Sequence, residues 1–155
     1  MPLIRWTTNM SVGLTELDDD HRTLIKIINH LNANIGEVMR PETVRQCLLA
    51  LRRYAEFHFA REERVLVACN FPGIEVQKDE HRDFIARIQE VTQRFDADPE
   101  AASTVVNDEL LSFLREWLSH HIMIEDMAYR PYVESSLVAK DVAKRFKAVE
   151  VSWSL

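Results

Sequence analysis

The chain is poor in the residues that make turns and cross-links: three glycines, five prolines and two cysteines in 155 residues. A β-sandwich or barrel of this length needs far more turn residues, so the shortage points to an all-α fold. Scarce cysteine excludes a disulfide scaffold. Cys47 and Cys69 lie 22 positions apart in one predicted helix. At about 1.5 Å rise per residue that is roughly 33 Å, beyond disulfide reach. Neither has a CxxC partner, so both read as unpaired packing residues suited to a reducing cytoplasm. No apolar run approaches the roughly 18 residues of a membrane helix, and Met1 to Gly13 lacks the apolar block of a secretory signal. Positive charge is in deficit too. The 19 basic against 25 acidic residues give a formal charge of −6, which argues against nucleic acid or an anionic membrane as partner.

What is present is globular: 46% hydrophobic and 28% charged residues, read as a single domain over 1–155 that buries roughly two thirds of its unfolded surface. Pro41, Pro72 with Gly73, Pro99 and Pro131 punctuate segments rich in helix formers. Helices are expected at about 18–38, 42–69, 74–95, 101–129 and 137–150, after an extended N-terminal arm carrying Trp6. Asp18, Asp19 and Asp20 suit the opening of the first helix. Four long helices with short connections predict an antiparallel up-down-up-down four-helix bundle, with a short C-terminal helix.

Steps of three and four trace the inward stripes. They are apolar except at His21 in the first helix, His58 and Glu62 in the second, Gln77 and His81 in the third, and His121 in the fourth. Ile124 and Ala128 continue the fourth stripe. His58 and Glu62, like Gln77 and His81, are spaced i,i+4 and share a face. Antiparallel threading brings all of these to one end of the bundle. Buried imidazole and carboxylate must satisfy one another or bind something. Imidazole with carboxylate and no thiolate suits iron, zinc or manganese, and the surplus of ligands over one tetrahedral site suggests two metals. Asp126, five residues after His121, is rotated about 140° from it in an ideal helix. A widened turn of π type near Pro131 would swing it inward. His30 and His120 lie off the stripes and read as surface or supporting residues.

The order His21, His58 to Glu62, Gln77 to His81 and His121 to Asp126 resembles the bacterial hemerythrins, whose pattern is one His, an HxxxE, an HxxxH and an HxxxxD. Trp6, Ser11-Val12-Gly13, Phe57-His58-Phe59, Phe71-Pro72-Gly73 and Trp117-Leu118 extend the resemblance over about residues 6 to 132. It implies a non-heme di-iron centre bridged by Glu62, Asp126 and a solvent-derived oxo or hydroxo group. His21 and His58 would hold the iron that takes dioxygen, and His81 and His121 the other. The family's apolar oxygen pocket falls on Leu24, Phe59, Trp117, Leu118 and Ile122. Position 77 departs from the pattern: the family's histidine is Gln here, a weak ligand or none.

The resemblance implies dioxygen or small anions as ligands. An oxygen- or redox-sensing module is expected first, because the shortened shell at position 77 opens the second iron to solvent. An oxygen carrier or store comes next. A di-iron oxidase or peroxidase-like enzyme comes last, since ferritin-like oxidases use about four carboxylates and two Glu-x-x-His pairs. The amphipathic segment from Val138 to Phe146 is expected to cap the bundle, or to serve as a stalk to a signalling output domain.

Overall fold

The computed structural model describes residues 2–35, 41–98 and 109–146. Among them the chain is helical throughout, with α1 over Thr15–Ile35, α2 over Pro41–Ala68 and α3 over Ile74–Ala97. A fourth long rod consists of α4 (Leu111–His120), a π-helical segment (His121–Asp126) and α5 (Met127–Glu134). A short α6 (Leu137–Arg145) follows. The four rods form the expected bundle.

Two apolar clusters fill it. The larger includes Leu24, Ile28 and Leu31 of α1, Leu48 and Leu51 of α2, Phe84, Ile88 and Phe95 of α3, and Leu114 and Leu118 of α4. The smaller joins Val12, Leu14 and Leu17 to Val65 and Leu66, Tyr129 and Val133, and Ala139 and Ala143 of α6. Along every rod the inward polar residues lie between the stretches that feed these clusters. The polar centre is thus a layer enclosed by oil on both sides, and α6 closes the lower cluster.

The helix limits differ from the periodicity at instructive places. The first helix begins at Thr15, three residues before the expected start at Asp18. Asp18 lies inside it, where its carboxylate accepts hydrogen bonds from the Val12 amide (2.9 Å) and the Ser11 hydroxyl (2.6 Å). The acid therefore braces the preceding turn, in which Gly13 adopts φ +83, a conformation that favours glycine. The arm is not wholly extended: Thr8–Met10 form a 3-10 turn. Asn29 pins the arm, taking the Ile4 N–H at 3.0 Å and donating to the Ile4 carbonyl at 2.8 Å.

The fourth rod continues to Glu134 through Pro131, past the expected end at 129. The hydrogen bond that proline cannot make belongs to the Met127 carbonyl, just beyond the π segment, where the ladder is already changing register. That change overturns two stripe positions. Ile124 is 58% exposed and Ala128 is also outward, while Asp126, Tyr129 and Val133 are buried. The expected stretches 36–38, 101–108 and 147–150 lie outside the described residues. Cys69 falls just past the end of α2, and both cysteines are free.

Asp18→Ala leaves the fully buried Val12 N–H without its acceptor. The expected loss is about 1–3 kcal/mol of stability, read as a lower midpoint in urea or thermal unfolding with the helical signal retained at low temperature.

Candidate metal centre

Helical spacing places His21, His58, Glu62, His81 and His121 on the inner faces, all at 3% exposure or less. Asp126 joins them through the π segment. One extra residue per turn rotates it towards the axis, where it is fully buried with its Oδ1 3.0 Å from His121 Nε2 and its Oδ2 3.2 Å from His21 Nε2.

Two donor groups result. His21, His58 and Glu62 offer ligand atoms within 4.8 Å of one another, and so do Glu62, His81 and His121. Glu62 belongs to both, with Oε2 3.3 Å from His58 Nε2 and Oε1 2.8 Å from His81 Nε2. Asp126 spans the same two groups from the other side. The arrangement is two three-ligand sets sharing one carboxylate, with a second carboxylate across both.

The tautomers can be assigned for three of the four imidazoles. Nδ1 of His58 donates to Asp20 (3.0 Å), that of His81 to Glu63 (2.9 Å) and that of His121 to Glu80 (2.6 Å). A carboxylate only accepts, so each neutral ring has its Nε2 lone pair directed inward. There Nε2 of His21 and His58 face each other at 3.1 Å, and Nε2 of His81 and His121 at 3.3 Å. The facing lone pairs of His81 and His121, with two buried carboxylates beside them, repel unless a proton or metal ion lies between.

The same demand is visible in the proton affinities. Burial would by itself lower the His58 pKa, but the Glu62 charge and the Asp20 hydrogen bond outweigh it and push it up to about 10. His121 is raised well above its ordinary value against the pull of burial, by the charge and hydrogen bond of Asp126. Burial would raise the Glu62 carboxyl, yet His58 and its neighbours hold it well below the usual range. Protons and metal ions answer the same electrostatic need, and this hard, nitrogen- and oxygen-donating set fits two divalent cations of the first transition row.

Sequence reasoning did not identify the supporting residues. Tyr129 is fully buried and its hydroxyl donates to Glu62 Oε2 at 2.8 Å. Burial, with the charges of Asp126 and Glu62, raises its pKa far above normal, so it stays a donor. Asp20, Glu63 and Glu80 each adjoin a residue of the cluster in sequence, which is the signal that was available.

Gln77 is 1% exposed. Its Nε2 donates to Asp126 Oδ1 at 3.0 Å, and its Oε1 has no hydrogen-bond partner. Of the pocket residues, Leu24, Phe59, Leu118 and Ile122 are buried in the larger cluster, with Trp117 packed against it. Phe59 stacks on His81 at 3.9 Å between ring centres, and Trp117 on His121 at 4.4 Å. His120 is exposed and faces Glu125 at 3.5 Å.

Residues 12–133 match the family model described as the hemerythrin HHE cation binding domain. The chain belongs to the hemerythrin family. It is 31% identical over 137 residues to a bacteriohemerythrin of Stenotrophomonas maltophilia, covering 88% of this chain and 86% of the relative. It is 26% identical over 125 residues to a myohemerythrin of Riftia pachyptila, covering 81% and 89%. A crystal structure of wild-type hemerythrin superposes with a TM-score of 0.75 at 25% identity, over 86% of this chain and 99% of that one.

In this hemerythrin-like chain Glu80 is partly exposed at 23% and touches the centre only through His121 Nδ1. Glu80→Ala should therefore keep the fold but weaken metal binding by roughly 10–100-fold. A chromophoric chelator in competition with the protein measures that loss.

Proposed function

We propose that this protein binds dioxygen at a non-heme di-iron centre and acts as an oxygen- or redox-sensing module. What supports the di-iron reading is the pair of donor sets sharing Glu62, with Asp126 across both. In it, His21 and His58 would hold one iron and His81 and His121 the other, with Glu62 and Asp126 placed to serve both. Two ferrous ions side by side supply the two electrons that dioxygen takes up on binding and returns on release.

The protein's own residues prepare the site for that chemistry. The Asp20, Glu63 and Glu80 carboxylates keep three imidazoles in the ligating tautomer. The Tyr129 hydroxyl occupies one Glu62 lone pair and holds the bridge in register. Apolar side chains above and below exclude bulk water, which strengthens every polar contact inside the layer.

Sensing is favoured over storage by position 77. The Gln77 amide is committed through its nitrogen to Asp126, so the family's fifth imidazole has no equivalent. An iron held by His81 and His121 would then keep an exchangeable position for water or a small anion. A site open in this way oxidises readily and reports oxygen or redox state better than it stores a gas. Among the described residues no helix is long and apolar enough to cross a membrane. Burial pushes the Cys47 thiol up to about 11, consistent with inert free cysteines in a reducing cytoplasm.

Iron-reconstituted protein should carry about two irons per chain, and Glu62→Ala should lose most of that content by elemental analysis. One zinc and no iron in the wild type, or unchanged iron in the variant, would end the di-iron reading. A separate comparison addresses sensing. Gln77→His restores an i,i+4 histidine pair, and its oxygenated form should outlive that of the wild type. After anaerobic reduction and admission of oxygen, the decay of visible absorption decides. Equal lifetimes would favour the carrier.

A further inference from the structure

Arg61 is a guanidinium at 4% exposure on α2, next in sequence to Glu62. Burying it is costly unless each arm is engaged. One arm, Nη1, donates to Asp20 Oδ1 at 3.0 Å and to the Glu16 carbonyl at 3.3 Å. The other, Nη2, donates to the Phe146 carbonyl at 2.8 Å, at the C-terminal end of α6. The plane lies over the Phe57 ring at 4.8 Å, and Phe57 in turn packs on Phe146 at 5.9 Å.

Asp20 is where this matters. Its Oδ1 accepts from Arg61 and from the Tyr54 hydroxyl (3.1 Å), and its Oδ2 takes the His58 Nδ1 proton at 3.0 Å. At 2% exposure the carboxylate lies buried beside the guanidinium. A continuous line of short contacts therefore runs from His58 Nε2, through the ring to Asp20, through Arg61, to the carbonyl of Phe146, the residue that caps α6. Helix ends ordinarily give such carbonyls to water. This one is captured from inside the bundle.

We infer that Arg61 is a positioning residue that couples the His58 side of the centre to the docking of α6. The inference rests on the cluster being a di-iron centre. When charge at the centre changes, the imidazole's demand on Asp20 changes with it, and Asp20 shares its Oδ1 with the guanidinium that holds α6. Coupling of this kind is reciprocal: a disturbance at α6 must be felt at the metal. A plain cap for α6 would do neither.

The test uses the full iron-loaded chain in its diferrous and diferric forms, with hydrogen exchange measured over 137–146 and the reduction potential recorded beside it. In the wild type, exchange in α6 should differ severalfold between the two forms. Arg61→Met should abolish that difference and shift the potential. Arg61→Lys restores a charge beside Asp20 but cannot span both acceptors, so its potential should stay near wild type while the α6 difference falls. Phe146→Ala, which touches no ligand, should move the potential from the far end and decides the matter if Arg61→Met does not fold. Equal α6 exchange in both forms of the wild type, or a difference that survives in the folded Arg61 variants, overturns the coupling. So does an unchanged potential in Phe146→Ala. Absence of iron from the wild type is a different result, since it removes the di-iron reading itself and the coupling with it.

Discussion

The bundle's middle layer depends on buried imidazoles and carboxylates crowded within hydrogen-bond distance of one another. Nε2 atoms at 3.1 and 3.3 Å, with Glu62 and Asp126 between them, form a site of concentrated negative potential. An apolar core would be more stable if this layer were simply replaced by leucine, as buried ionic groups rarely repay their desolvation. The layer makes sense only as a place for positive charge. The raised proton affinities of His58 and His121 express that demand. Two metal ions would answer it with better geometry, because each donor group offers three ligand atoms.

The supporting acids obey a rule that the helical cylinder imposes. Asp20 adjoins His21 on α1 but serves His58 on α2. Glu63 adjoins Glu62 on α2 but serves His81 on α3. Glu80 adjoins His81 on α3 but serves His121 on the fourth rod. A residue next to an inward ligand is rotated about 100° from it and so faces the neighbouring helix. Each rod thereby orients the imidazole of the next. The polar layer ties the helices together in sequence, which an apolar layer of the same volume would not specify.

Much of this was legible in the sequence, and the parts that were not share a cause. The i,i+4 pairs His58–Glu62 and Gln77–His81 were readable because helix periodicity maps directly onto faces. Asp126 was readable only as a question, since an ideal helix turns it away from His121; the π segment answers it. Tyr129 was hidden by the same inserted residue, which shifted the inward register off Ala128. Arg61, Glu63 and Glu80 carry charge, and a charged residue beside a stripe looks like solvated surface until the next helix is in place. Asp18 likewise looked like the opening of α1 and instead braces the turn before it.

The satisfied and unsatisfied atoms divide the centre into a fixed and a compliant half. Glu62 Oε2 accepts from the Tyr129 hydroxyl and Oε1 lies 2.8 Å from His81 Nε2, and three imidazoles are locked from behind. Among the centre's own residues the unpartnered buried atoms are His21 Nδ1, Gln77 Oε1 and Asp126 Oδ2, with Arg61 Nε and Arg87 Nε unpartnered outside it. Asp126 rides on the π segment, and Gln77 grips only its other oxygen. The line from His21 through Asp126 to Gln77 is thus the less fully hydrogen-bonded side of the layer. A fifth imidazole at position 77 would turn that compliant edge into a metal ligand. With an amide there, the chain keeps the framework of a hemerythrin and leaves a buried carbonyl oxygen, Gln77 Oε1, without a partner on that side.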